Sequence, residues 1–129
     1  MRISELSRRT GVSTHRLRRY ESDGLLRAER SDAGYRDFSE HAVREVTFIS
    51  MGRDLGFSLK ALAETLPRYR AGSLTIDQMI FELQRRIAEV DAQIAAQRAL
   101  RQRLVSHIGW FRKRQRKAAQ TSSKPKAKR

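Results

Sequence analysis

From Ile76 the apolar residues advance by alternating steps of four and three, through Ile80, Leu83, Ile87, Val90 and Ile94. The same register continues through Gln97 and Arg101 to Leu104, Ile108 and Phe111, so nine of eleven positions are apolar. A repeat sustained over that length draws one narrow stripe along a helix, and such a stripe is covered by another helix rather than by a globular surface. At about 1.5 Å per residue the seam runs roughly 54 Å, farther than a small preceding body could cover. The chain has one such helix, so the economical partner is a second copy related by a twofold axis. Ile80, Leu83, Ile87, Val90, Ile94, Leu104 and Ile108 are the expected dimerisation contacts. Gln97 and Arg101 interrupt the stripe, which either fixes register or marks a shorter, frayed coil.

Upstream of the seam the pattern is one of short capped helices. Ser4 is placed to cap a first helix with Leu6 facing inward, and Thr10-Gly11-Val12 then breaks the chain. Ser13 caps a second helix that holds Leu17 as its inward anchor, with Gly24 as the stop. Two short helices across a glycine turn form a helix-turn-helix, whose second helix presents side chains to the major groove. Between Ser13 and Glu21 lie three arginines, a histidine and a tyrosine. Thr14, His15 and Arg16 occupy the first turn, from which side chains reach base edges. A solvated surface position explains His15 nearly as well.

Leu25-Leu26 leads into the polar stretch Glu29 to Gly34 and then Tyr35-Arg36-Asp37-Phe38, which reads as a β-hairpin with turn chemistry at Asp32 and Gly34. Arg27, Arg30 and Arg36 make it basic, so it suits a wing that grips the sugar-phosphate backbone. Ser39 is placed to cap a third helix, with Glu40 in its first turn, Val43, Val46 and Ile49 on one face, and Phe48, Met51 and Leu55 on another. Gly56 ends it. Ser58 caps a fourth helix with Leu59, Leu62 and Leu66 inward, which Pro67 should end or kink near Leu66. The expected division is a winged helix-turn-helix domain over residues 1–72, a coiled-coil dimerisation helix over 73–117, and a disordered basic tail over 118–129. The fold class is mainly α.

Charge narrows the partners. The formal net charge is +14, yet residues 112–129 hold nine basic and no acidic side chains, which leaves the first 111 residues at +5. A polyanion is the expected partner, and charge by itself does not separate double-stranded DNA from an acidic membrane. There is no cysteine, which excludes disulfides, thiolate metal ligands and thiol redox sensing. The three histidines at 15, 41 and 107 are too scattered to suggest a metal site, so no metal or cofactor is expected. No apolar run approaches a membrane span and no hydrophobic signal segment opens the chain, so a soluble cytoplasmic protein is expected. Paired carboxylates in an apolar setting, nucleophile motifs and phosphate-cradling glycine loops are not visible, so an enzyme is not expected.

With these pieces in order, the chain resembles the MerR family of bacterial transcriptional regulators over residues 1 to about 111. The likeness rests on Ile3-Ser4-Glu5-Leu6, Gly11-Val12-Ser13, Leu17-Arg18-Arg19-Tyr20-Glu21, Gly24-Leu25-Leu26, Gly34-Tyr35-Arg36 and Leu55-Gly56-Phe57-Ser58. It implies a homodimer joined by antiparallel long helices, bound to a pseudo-palindromic operator in the nucleoid. It also implies a mechanism, in which the dimer bends and untwists an overlong promoter spacer so that RNA polymerase engages both elements. Position by position, Arg18 matches the family's recognition-helix arginine and Tyr20 the second aromatic of Arg-Tyr-Tyr. Arg19 stands where an aromatic is usual, and a phosphate contact is expected of it. Tyr35 and Arg36 match the wing's backbone-contacting pair, and Arg53 a basic phosphate contact of the second helix pair.

Many relatives sense metals or oxidants through cysteines, and no sensor residue carries over here. A small organic effector held between coil and DNA-binding body is the remaining class, with Phe48, Met51, Tyr69, Trp110 and Phe111 as candidate lining. Those residues equally read as plain core or, for Trp110 and Phe111, as a coiled-coil end or a contact on the partner. The alternative function is a low-specificity, nucleoid-type architectural DNA-binding protein, which the charge and basic tail favour.

Overall fold

A computed structural model describes residues 1–123. They fall into two compact units, Met1–Arg86 and the part of the last helix from Ile87 onward. The elements are α1 (Ile3–Thr10), α2 (Thr14–Ser22), β1 (Glu29–Arg30), β2 (Arg36–Asp37), α3 (His41–Asp54), α4 (Leu59–Arg70) and α5 (Ile76–Ser123). The first compact unit runs past residue 72 and takes in the first turns of α5. Leu74, Met79 and Leu83 line a common apolar pocket with residues of α3 and α4, and Arg86 Nε donates to the Leu55 carbonyl at 2.9 Å. The residues from 118 to 123, expected to begin a disordered tail, continue α5, and residues 124–129 lie outside the described residues.

The first unit closes around Leu6, Leu17, Tyr20, Leu25, Leu26, Phe38, Val46, Ile49, Leu62 and Leu66, with Val12 and Ala42 completing the cluster. α1 stops where Gly11 turns to a φ of 74° and its N–H returns to the Ser7 carbonyl, a conformation that costs other residues about 1–2 kcal/mol. The next helix then starts at once, since Ser13 Oγ accepts from Arg16 N at 3.2 Å. The hairpin pairs Glu29 with Asp37 and Arg30 with Arg36 in antiparallel register, and buried Phe38 roots its returning strand. Near α3 and α4 the backbones approach closely at Gly52. A Cβ there would stand 2.5 Å from Leu62 Cδ2, so the position has room for glycine only unless Leu62 shifts.

Four local expectations give way to tertiary contacts. Ser4 lies inside α1 and Arg2 takes the N-cap position without a side-chain bond, because the chain enters the helix already tied down. Its Met1 amine donates to Asp37 at 2.9 Å, and Phe38 N donates to the Met1 carbonyl at 2.7 Å. Ser39 offers its carbonyl rather than its hydroxyl to Ala42 N, and Glu40 is the N-cap of α3 rather than part of its first turn. The Glu40 carboxylate is engaged by Arg9 at 2.9 Å, which joins α3 to α1 and holds the carboxyl below its ordinary range. A lowered carboxyl contributes stability above the ordinary carboxylate range and loses it as pH falls through the lowered value, and this exposed pair contributes little.

Leu59, expected inward, is 39% exposed, so α4 buries only Leu62 and Leu66. The helix also runs past Pro67 to Arg70. Its end is held from outside, since Arg70 Nε donates to Glu45 at 2.8 Å and Arg70 Nη2 to the Leu25 carbonyl at 2.7 Å. Tyr69 stacks on Phe48 with centroids 4.3 Å apart. Those ties offset the N–H that proline lacks. α5 opens on a reciprocal cap, with Gln78 N donating to Thr75 Oγ1 and Thr75 N to Gln78 Oε1. Among the described residues no helix is long and apolar enough to cross a membrane.

Arg70 bridges α4, α3 and the segment after α2, and it is mostly shielded from solvent together with Glu45. Arg70→Ala is expected to cost about 2–3 kcal/mol in urea unfolding, because it orphans a carboxylate and a carbonyl together. Arg70→Lys should recover part of that loss, since an ammonium cannot reproduce the planar fork.

Candidate nucleic-acid interface

α2 is two-faced because its apolar residues are three apart. Leu17 is fully buried and Tyr20 is 5% exposed, which fixes the helix against α1 and the core. The opposite face carries His15, Arg18 and Arg19, all exposed, with Thr14 and Arg16 half-buried at its start. Among the described residues Arg18 and Arg19 make no ion pair or hydrogen bond, so their guanidinium groups are free for an external acceptor. Arg16 is different. Its Nη2 donates to the Tyr20 hydroxyl at 2.8 Å and lies 3.6 Å from Asp54 Oδ1, so its reach is set by two neighbours.

Tyr20 therefore does not stand on the face expected of it. Its ring belongs to the core and its hydroxyl positions Arg16, because an aromatic three residues after a buried leucine falls on the same stripe. The wing residues are also shaped by partners. Arg36 Nε donates to Glu21 Oε1 at 2.7 Å, which ties β2 to the end of α2 and offsets part of the positive charge of the hairpin. Tyr35 is exposed, with the Arg2 guanidinium 4.3 Å above its ring. Arg53 Nη1 donates to the Phe57 carbonyl at 2.9 Å and so closes the turn from α3 to α4 while staying exposed.

Reading by spacing did not find Arg2, Glu21 and Asp54 as the groups that hold Tyr35, Arg36 and Arg16. Their partners are distant in sequence or on another helix, and only the composition hints at them. Taken together the surface offers free cations on α2 and tethered cations on the wing and on the turn after α3. That is the arrangement suited to reading base edges with one element and fixing register on the backbone with others.

The residues expected to line an effector site are divided between the two units. Phe48 and Met51 line an apolar cavity of about 150 Å³ together with Leu55, Leu62, Met79 and Leu83. Tyr69 is on the far side of Phe48 and lines a polar groove with Glu45 and Arg70. Trp110 and Phe111 belong to the second unit, where they pack edge to face on each other at 4.7 Å. Leu55, Phe57, Leu74, Met79 and Leu83 are the lining that spacing did not reveal, since it comes from three helices and two turns. Among the described residues no three histidine or carboxylate side chains converge on one point.

Comparison with known proteins gives two family matches, MerR HTH family regulatory protein over residues 1–69 and MerR, DNA binding, over residues 43–107. The chain is 33% identical over 108 residues to the HTH-type transcriptional regulator HmrR of Rhizobium leguminosarum bv. viciae, covering 84% of this chain and 83% of that one. It is 35% identical over 97 residues to the heavy metal-dependent transcription regulator 2 of Rhizobium meliloti, covering 74% and 66%. Among solved structures it is similar to the transcription regulator PbrR691 of Ralstonia metallidurans CH34 in complex with lead(II), with a TM-score of 0.69, 27% identity and coverage of 82% and 84%. HiNmlR, a MerR family regulator lacking the sensor domain and bound to promoter DNA, shares the fold at a TM-score of 0.57, 20% identity and coverage of 97% and 96%.

Two substitutions separate reading from positioning. Arg18→Ala should weaken binding to a cognate duplex by about 1–3 kcal/mol in anisotropy titrations, and unchanged affinity would show that this face does not meet the bases. Tyr20→Phe keeps the buried ring and frees Arg16, so we expect stability to change by no more than about 1 kcal/mol. Affinity should fall by about 0.5–1.5 kcal/mol, the cost of ordering an untethered side chain.

Proposed function

The chain belongs to the MerR family of HTH regulatory proteins, and on that premise we propose that it acts as a homodimer on a pseudo-palindromic promoter operator. The observation that carries this reading is the bare seam of α5. Its nine apolar residues, from Ile76 to Phe111, are between 36% and 76% exposed in the single chain. So long a stripe is stable in water only under a partner helix.

Charge supports an antiparallel pair. Residues 76–91 carry Asp77, Glu82, Glu89 and Asp91 against Arg85 and Arg86, whereas residues 92–117 carry eight cations and no carboxylate. Parallel helices would set the basic halves side by side, while antiparallel helices set each basic half beside the other copy's acidic half. Twofold symmetry then gives two copies of α2 and two wings, which suits a two-half-site operator. Regulation follows by deforming the promoter spacer for RNA polymerase, at a cost on the order of 1–6 kcal/mol that the paired wing and helix contacts offset. Within this reading Thr14, His15, Arg16, Arg18 and Arg19 face the groove, and Tyr35, Arg36 and Arg53 hold the backbone. A small organic effector would enter the apolar cavity beneath the first turns of α5, lined by Phe48 and Met51, and the protein works in the bacterial cytoplasm on the nucleoid.

Ile87→Glu should yield monomers in sedimentation, and an unchanged mass would sink the paired-helix reading. Footprinting upstream of the protein's own gene should show protection centred between promoter elements, whereas protection without sequence preference would favour an architectural DNA-binding protein. Removal of Ser122 to Arg129 should preserve operator preference and lessen salt dependence, while an architectural protein would lose most of its binding.

A further inference from the structure

Beyond the last seam residue, α5 carries Arg112, Lys113, Arg114, Arg116 and Lys117, five cations in six positions, and all are exposed. The preceding carboxylate is Asp91, at a distance of roughly 30 Å along the helix, several times the screening length at physiological salt. Among the described residues none of the five forms an ion pair. Like charges at this density repel along a helix, yet the helix persists through them to Ser123. Arg114 is also oriented, since its guanidinium lies 4.5 Å from the centroid of Trp110, which is braced by Phe111. A guanidinium drawn to an indole face retains N–H donors that can take a phosphate.

The distribution around the helix separates the classes of polyanion. Lys113, Arg114 and Lys117 share a face with Trp110, while Arg112 and Arg116 lie four apart on another. From residue 112 to 123 the only apolar side chains are Ala118 and Ala119, so no apolar stripe is available to lie in a bilayer. Charge on more than one face suits the backbone of a duplex, which presents phosphates along a groove and on both of its edges.

We propose that Arg112 to Lys117 form a second, sequence-independent phosphate-binding surface for duplex DNA, separate from the face of α2. This rests on the DNA-binding reading above. It adds affinity and salt dependence without adding operator preference.

The test compares the full chain with a series in which these five residues become glutamine singly and together, on an operator-length duplex and on one extended by two helical turns at each end. Glutamine is a good helix former at exposed sites, and circular dichroism with sedimentation checks that helix and dimer persist. On a duplex that the surface reaches, the log–log salt slope should fall by about 0.9 for each phosphate that is no longer neutralised, stepwise through the series. Arg18→Ala should behave oppositely, lowering operator preference while the stepwise fall in slope through the glutamine series remains. Equal slopes for wild type and the fivefold variant on both duplexes would overturn the proposal and leave the operator reading intact. Loss of binding only to phosphatidylserine vesicles would overturn it in favour of a membrane. Wild-type protein that binds neither duplex would overturn both readings.

Discussion

Burial of Leu17 and Tyr20 on one stripe of α2 is the interaction on which the rest depends. Each fully buried side chain of this size contributes about 1.5–3 kcal/mol, a large fraction of what a body of this length has in hand. The two side chains sit three residues apart, so they set not only the depth of the helix but its rotation. Rotation decides what reaches outward. With Leu17 and Tyr20 inside, Arg18 and Arg19 have nowhere to be but solvent, and the Tyr20 hydroxyl is left at the edge to hold Arg16. A single act of packing therefore sorts the basic residues of α2 into free and tethered ones.

Stability and assembly are divided between the two units. The buried core lies between Leu6 and Leu66, and among the described residues α5 contributes no fully buried side chain of its own. Its first turns join the body through the lining of the apolar cavity and the Arg86 bond to the Leu55 carbonyl. From Ile87 onward the helix forms a unit of its own whose apolar seam is exposed in the single chain. On the proposed reading, the seam of α5 is the part of the chain that a second copy covers.

Much of this was legible where structure is made by neighbours in the chain. The glycine at 11, the hydroxyls of Ser13 and Ser58, the hairpin from Glu29 to Asp37 and the heptads of α5 all act within a few residues, and their residue types announce the geometry. What escaped depends on contacts between segments. Ser4 and Ser39 have the chemistry of caps, but Met1, Asp37, Arg9 and Glu40 decide where those helices begin. Pro67 carries a local rule that the distant anchors of Arg70 override. At the interface Arg36 has the look of a free cation in sequence, yet Glu21 lies beside it in space. Phe48 and Met51 line the apolar cavity, whereas Tyr69 stacks on Phe48 without joining that lining, a difference that spacing along the chain does not show.

The outward stripe of α2 has one more consequence. His15, Arg18 and Arg19 support none of the packing that holds the helix, and the side chains of Arg18 and Arg19 make no hydrogen bond or ion pair among the described residues. Exchanges at those positions are close to neutral for folding, as surface changes away from caps and cores generally are. On the proposed reading, recognition can therefore drift or be reprogrammed one side chain at a time without passing through an unfolded variant. An operator and its regulator can change together while the scaffold stays the same.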